Sequence, residues 1–568
     1  MLWHERIADI IKNAYFKAFN QEAPEETLQM IEQPPDSSLG DFAFPCFRLA
    51  KVLRSAPNKI AEKLNEAIGN NNMVTTETKG AYLNFFVNRK AFASSVIDEV
   101  ISANGSYGSS KEGEGKTCCI DFSSINIAKR FHIGHLSTTL IGAALSRIYA
   151  FKGWNVVRIN HLGDWGTQFG KMIAAYKLWG SKEMVEEGGV QALSDLYVRF
   201  HEESEKDPSL EDLGREWFKK IEDGDEEALS IFEYFKELTL KDAKKVYDRL
   251  GIEFDSYAGE SFYNDKMQPV IDELHEKALL VESDGAWVVD LSDENIPPCL
   301  ILKSDGATLY ATRDLAAALY RKKTYNFSKC LYVVAYQQDL HFRQLFAVLK
   351  KMGYNWVDEQ MEHVSFGMVG YEGEALSTRR GNVIYLDDLL EKSVEKALEI
   401  LEEKNPNIED KQLVAKQVGI GAVIFTTLQN NRIKDIDFWW DRALNFDGET
   451  GPYVQYTYAR CSSVIEKGSH IDANSDYSAL CDDIAMEVLK ALYRFPMAVS
   501  DALLRNEPYL ITRCVTDIAK AYNRYYYEQR ILTDDYSASS ARLLLSRATK
   551  EVIQTGLNLL GIETPEKM

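Results

Sequence analysis

At 568 residues the chain is long enough for three or four units of roughly 100–200 residues, each with its own core, which excludes a small single-domain binder. Apolar residues at 45% and charged residues at 27% are ordinary globular proportions, so disorder is excluded as the main state, and no run of eighteen uncharged apolar residues marks a membrane span. Net charge is 65 minus 86, or −21, but Glu183 to Glu227 holds sixteen acidic and five basic residues while Lys490 to Lys550 holds ten basic and six acidic, so the acidic average leaves room for a basic face.

In chain order, residues 1–112 are expected to form a small α+β domain. Ile7, Ile10, Ile11 and Ala14 recur at helical spacing, the alternating AYLNFFV reads as a strand, and NGSYGSSKEGEGK reads as a linker. Residues 113–440 open on CCIDFS, a short buried strand. A polar loop follows, then HLSTTLIGAALSRIYAFKG with apolar residues every three or four, then the strand WNVVRIN. Strand, helix and strand make a βαβ unit, hence an α/β, Rossmann-like parallel sheet whose ligands sit beyond the carboxyl ends of its strands. CLYVVAY before QQDLH and HVSFGMV before YEGEALSTRRGNVIY repeat the strand-then-loop pattern, and a largely helical insertion is expected at about 180–300. Residues 441–568 carry helical periodicity throughout, with Ile511, Val515, Ile518, Ala519, Tyr522 and Tyr526 on one helix, and predict an all-α bundle.

The amino terminus lacks the apolar core of a secretory signal, and eight cysteines are scattered without a CxxC pair. A cytoplasmic location with reduced thiols is expected.

The loop SSINIAKRFHIGHL sets His132 and His135 three apart where a helix begins after a strand. That spacing predicts two imidazoles on one face beside free backbone amides and the positive end of the helix dipole, a natural seat for phosphate. Gly134 between them leaves the backbone open to a nucleotide.

Here the chain resembles the class I aminoacyl-tRNA synthetases, whose HIGH signature is identical to residues 132–135. DFSSINIAKRFHIGHL, RINHLGDWGTQFGK, LYATRDLAAALYR, YQQDLH, LSTRRGN, GPYVQYTYAR and the terminal PEKM resemble the arginyl-tRNA synthetase family in particular. The resemblance implies ligation of L-arginine to tRNA(Arg) through an arginyl-adenylate, with Mg²⁺-ATP as substrate and no tightly bound metal or organic cofactor. A monomer without membrane contact is expected.

Activation is attack of the arginine carboxylate on the α-phosphate of ATP, which needs positioning and cationic stabilisation rather than an enzyme nucleophile. His132 and His135 would supply donors. Ser377, Thr378, Arg379 and Arg380 of LSTRRGN could close over the β- and γ-phosphates, where the class carries a lysine-rich KMSKS loop. The second lysine of that loop is replaced here, and the resemblance gives a compensating phosphate role to Lys129, just before HIGH. Ser137 also departs, since many relatives carry arginine there.

Arginine is selected best by carboxylates, which accept two parallel hydrogen bonds from its planar guanidinium. Tyr310 and Asp314 are four apart on a predicted helix and Asp121 ends the strand leading to HIGH; the resemblance places all three around the guanidinium. It also gives Asn126 and Gln338 the α-amino end, and His161 and Asp164 the pocket wall. For tRNA it implies Tyr82 and Asn84 at the tip of the first domain, and Tyr456, Arg460, Tyr526 and Met568 in the bundle. The competing readings are a HIGH-type adenylyltransferase of a small acid, and an inactive RNA-binding paralogue.

Overall fold

The computed structural model describes residues 3–34, 36–304, 310–373, 384–471 and 474–568. The chain divides into two compact units: residues 1–102, 467–493 and 524–548 form the first, and 103–466, 494–523 and 549–568 the second.

In the first unit the helix Trp3–Phe19 buries Trp3, Ile7, Ile11, Ala14 and Tyr15, the stripe expected of an amphipathic helix. Strands β1 (Phe42–Pro45), β2 (Val74–Lys79) and β3 (Tyr82–Val87) form an antiparallel sheet with β3 in the centre. Leu83, Phe85 and Val87 alternate into the core, as the AYLNFFV pattern predicts.

The core of the second unit is a parallel sheet of β4 (Thr117–Asp121), β5 (Asn155–Ile159), β9 (Lys329–Tyr332) and β10 (Met361–His363), in the order β10-β9-β4-β5. Cys118, Cys119 and Ile120 are fully buried, which is why the central strand reads as a continuous apolar run. From β4 the chain crosses through the helix Leu136–Phe151 to β5 on one side, and later returns with β9 on the other. The strand order therefore reverses at β4 and β9. A crevice opens at such a switch point, beyond the carboxyl ends of the strands.

The segment expected to be largely helical is so through Glu276, with helices Lys182–Ser204, Ser209–Asp223, Glu226–Leu250 and Met267–Glu276. It then departs from that expectation: β6 (Leu280–Ser283), β7 (Ala286–Val289) and β8 (Cys299–Leu302) form an antiparallel sheet, their short apolar runs rich in strand-forming residues. The stretch 104–116, expected as a linker, is instead packed. Tyr107 is buried and stacks on Phe495, and the Gly113 amide donates to Lys152 O at 3.0 Å. Further on, β11 (Val369–Tyr371) pairs in parallel with β12 (Ile436–Phe438). Long helices close the chain at Gly451–Lys467, Asp483–Arg505, Tyr509–Glu528 and Tyr536–Leu560. No helix among the described residues is long and apolar enough to cross a membrane.

Candidate active site

The crevice is walled by the loops that leave β4, β5 and β9. The β4 loop is under backbone strain, with Ser123, Ser124 and Ala128 all at positive φ. Hydrogen bonds hold it there: Ser123 N donates to Thr138 Oγ1 at 3.0 Å, Ala128 N to Thr239 Oγ1 at 2.9 Å, and Thr138 Oγ1 in turn to Val333 O at 2.7 Å. Thr138 thus ties the helix after HIGH to the ends of both β4 and β9. The neighbouring loop from β5 crosses at Gly163, where a Cβ would lie 2.2 Å from Asn126 Oδ1, so a larger residue would displace the Asn126 side chain.

His132 is the cap of a 3₁₀ turn, Ile133–His135, that leads into the helix Leu136–Phe151, and the two rings sit with centroids 4.1 Å apart. The expectation of free amides is corrected here. Gly134 N donates to His132 Nδ1 at 3.1 Å, His135 N to His132 O at 2.9 Å, Ile133 N to Ile384 O at 2.9 Å, and His132 N to His135 Nδ1 at 3.4 Å. The turn consumes its own donors. Because Nδ1 of His132 accepts, its proton resides on Nε2, which becomes the donor available to a ligand. Burial, reinforced by the Lys129 charge, lowers the pKa of His132. Burial, with the neighbouring His132, takes His135 down to about 3, so both rings are neutral at pH 7. Lys129 and Gly134 are exposed beside them. Ser377, Thr378, Arg379 and Arg380 lie outside the described residues. The chain that follows them is nonetheless anchored to HIGH: Leu386 N donates to Phe131 O at 2.9 Å, and His132 bridges Tyr385.

At the carboxyl end of β4, Asp121 is already engaged. Arg321 Nη2 lies 2.8 Å from its Oδ2, with the two side chains only 1% and 7% exposed, and Ser124 Oγ donates to its Oδ1 at 3.0 Å. The internal guanidinium occupies the carboxylate that was expected to meet substrate. Asp314 is more open, 28% exposed, with His341 Nε2 2.7 Å from one oxygen and His161 Nε2 3.8 Å from the other. His161 Nδ1 in turn lies 3.3 Å from Arg321, so one chain of contacts links both carboxylates. Burial alone would raise the pKa of Asp314, but the hydrogen bond and charge of His341 outweigh it and the net direction is down. For His341 burial pulls down, Asp314 pulls up harder, and the result is upward. Tyr310, 62% exposed, stands one turn before Asp314 on the helix Tyr310–Tyr325.

Asp164, expected in the pocket wall, does not face the opening. It is wholly buried, accepting from Ser261 N and Oγ at 2.8 and 2.7 Å and pairing with Lys236 at 3.0 Å. Gln338 and Asn126 are exposed on the loops after β9 and β4. Two charged neighbours, His341 and Glu260, were not singled out in the sequence. Arg321, two turns after Asp314 on the same helix and a candidate ion-pair partner for it there, pairs with Asp121 instead. Glu260 lies 3.6 Å from Arg313, with burial pushing its carboxyl up to about 7, and carries no local motif.

The residues expected to touch RNA lie apart from this crevice in the sequence. In the first unit Tyr82 packs edge-on to Phe47, Tyr526 is partly exposed, and Asn84, in the central strand, is only 5% exposed. In the second unit Arg460 lies 4.9 Å over the exposed ring of Tyr456 and bonds to Asn523, while the carbonyl of Met568 accepts from Asn405 Nδ2 at 3.2 Å.

With this geometry described, comparison with known proteins adds the following. Residues 96–440 match the family model for class I tRNA synthetases (R), catalytic domain; residues 454–568 match the DALR anticodon binding domain; residues 2–87 match the arginyl tRNA synthetase N terminal domain. The arginine–tRNA ligase of Alkaliphilus metalliredigens is 54% identical over 549 residues, 96% of each chain. That of Halothermothrix orenii is 50% identical over 566 residues, 99% of each. The solved arginyl-tRNA synthetase of Thermus thermophilus superposes with a TM-score of 0.82 at 24% identity over the whole of both chains, and that of Plasmodium falciparum with 0.78 at 24% over 100% and 99%, which speaks to the fold.

Proposed function

The chain belongs to the arginyl-tRNA synthetases of class I and ligates arginine to tRNA with ATP, and from that premise we propose how its residues divide the work. The observation that carries the reading is two adjoining imidazoles at the start of the helix that follows β4, together with Asp314 held by His341 and Asp121 held by Arg321, the two carboxylates being linked through His161.

In this reading the guanidinium of arginine binds Asp314, with Tyr310 stacked or hydrogen-bonded alongside, while Asp121 holds Arg321 and through it His161. Asn126 and Gln338 take the α-amino end. The arginine carboxylate oxygen attacks the α-phosphorus of Mg²⁺-ATP. A carboxylate O–P bond forms, the bond to the bridging oxygen breaks, and pyrophosphate leaves with that electron pair. His132 and His135 donate hydrogen bonds to the phosphate oxygens, and Lys129, Ser377, Thr378, Arg379 and Arg380 meet the charge that develops on pyrophosphate. A ribose hydroxyl of the tRNA terminal adenosine then attacks the adenylate carbonyl and expels AMP.

Residues 1–112 and 441–568 would carry the tRNA contacts through Tyr82, Asn84, Tyr456, Arg460, Tyr526 and Met568, a parsing supported by the family models at 2–87 and 454–568. Burial of Asn84 favours a bracing part for that residue and leaves base contact to Tyr82. A cytoplasmic monomer completes the reading; eight unpaired cysteines accord with a reducing compartment. The competing adenylyltransferase and inactive-paralogue readings are not favoured beside relatives at half identity over nearly full length.

The test is charging of unfractionated tRNA by labelled arginine between pH 6 and 8. His341 has a raised pKa, so its ion pair with Asp314 is complete below about 6.5 and fades as pH rises through its folded value. Asp314, with a lowered pKa, stays ionised throughout. Protonated His341 competes with the substrate cation. The KM for arginine should therefore fall as pH rises, by at most about tenfold per unit for one proton released, and His341→Gln should flatten that slope. A wild-type enzyme that charges no arginine contradicts the function; a pH-independent KM contradicts the competition.

A further inference from the structure

A polar groove of about 550 Å³ lies in the second unit, well away in sequence from the crevice. One side is the carboxyl end of the helix Lys411–Leu428 and the loop after it, with Gln429, Asn430, Asn431 and Lys434. The other is the helix Tyr509–Glu528, with Tyr509 and Arg513. Lys434 and Arg513 are exposed, and among the described residues neither meets a carboxylate at ion-pair distance. Lys520 is paired with Glu449, and Asp517 is the remaining acid, so the lining carries three cations against two anions in a chain of net charge −21. Three consecutive side-chain amides with donors to spare add to a surface built to receive oxygen acceptors.

The groove is firmly built. Arg432 donates to Ser365 O at 2.9 Å and, joining the two sides, to Asn506 O at 3.3 Å, while the Thr512 hydroxyl donates to Tyr509 O at 2.7 Å within its own helix and lies 3.2 Å from Leu428 O. The loop also reaches toward the chemistry. Gly367 N donates to Arg432 O and Met368 N to Asp435 Oδ1 at 2.8 and 2.7 Å, so it is stapled to the start of β11, the strand that precedes the LSTRRGN segment. Across the groove, the helix Tyr509–Glu528 belongs to the part matching an anticodon-binding domain.

We propose that this groove seats the sugar–phosphate backbone of the tRNA, between the end that is charged and the end that is read, with Lys434 and Arg513 each neutralising a phosphate. A substrate that must reach both the adenylation crevice and the anticodon-binding helices crosses the seam between them, and this seam carries uncommitted cations and amides. Backbone contacts from lysine, arginine and amide side chains fix register without reading sequence. The inference rests on the tRNA-ligase reading above.

The test is filter binding of unmodified tRNA transcript to the full chain over a salt series, for wild type, Lys434→Ala/Arg513→Ala, and Lys434→Gln/Arg513→Gln. Loss of two phosphate contacts should weaken binding on the order of tenfold and reduce the slope of log K against log salt by about 1.4–1.8, the alanine and glutamine pairs alike. In charging assays the deficit should fall on the KM for tRNA and be recovered at high tRNA. Wild-type affinity and slope in both variants would overturn the proposal, as would a loss of turnover that high tRNA does not restore. Failure of wild type itself to charge tRNA with arginine would be a failure of the functional reading, a separate outcome.

Discussion

Asp314→Asn should lower kcat/KM for arginine by about a hundredfold or more while changing the KM for ATP by no more than about threefold. The substitution keeps the size and one acceptor of the side chain but removes its charge, and of the two carboxylates Asp314 is the more open, since Asp121 is closed by Arg321 and Ser124. A charge-assisted hydrogen bond in a desolvated site contributes roughly 2–5 kcal/mol when one partner is truncated, and 1.36 kcal/mol is tenfold in rate, so about 3 kcal/mol corresponds to about 150-fold. His132 and His135, to which the proposed reading gives the nucleotide, are left untouched. Steady-state kinetics varying arginine and ATP separately provides the comparison. A parallel rise in both KM values would identify Asp314 as a structural residue.

Arg321→Met should destabilise the second unit by about 3–5 kcal/mol, more than any exposed substitution in the crevice. Arg321 is 1% exposed and faces Asp121 at 2.8 Å, with its guanidinium 5.5 Å from the centre of the Tyr332 ring. Burial opposes its charge, yet Asp121 and the surrounding groups hold its pKa well above the ordinary arginine value, so the guanidinium stays charged at every working pH. Removing one member strands the other charge in a low-dielectric interior, where the loss is several kcal/mol, whereas replacing both by neutral groups of similar size is far less costly. Arg321→Met/Asp121→Asn should therefore regain much of the stability lost by Arg321→Met alone. Urea unfolding followed by a probe in the second unit gives the comparison. Equal losses in the single and double variants would show that the arginine acts through packing alone.

Much of this arrangement was legible in the residues. The apolar run of β4, the helix after HIGH and the strand WNVVRIN made a parallel βαβ unit visible, because local periodicity decides those elements. Tyr310 and Asp314 fell on one helix face for the same reason. What escaped were consequences of long-range contact. Nothing local says that Arg321 folds back on Asp121, or that His341 from the helix after β9 caps Asp314. The amides of HIGH read as free donors because a short 3₁₀ turn capped by its own histidine cannot be told from a helix start by spacing. Asn84 was placed at a tRNA-contacting tip by resemblance, and its burial in β3 comes from tertiary packing that the strand pattern does not show. The glycine- and serine-rich stretch 104–116 looked like a linker on composition, but the buried Tyr107 and backbone hydrogen bonds such as Gly113 N to Lys152 O fasten it.

The most direct measurement is discrimination between arginine and citrulline, its uncharged urea counterpart of nearly the same shape, in tRNA charging by wild type and Asp314→Asn. If Asp314 selects substrate by its charge, wild type should prefer arginine by at least about two orders of magnitude, and the variant should lose most of that preference. A variant that is slow with both amino acids but keeps the wild-type ratio would contradict it.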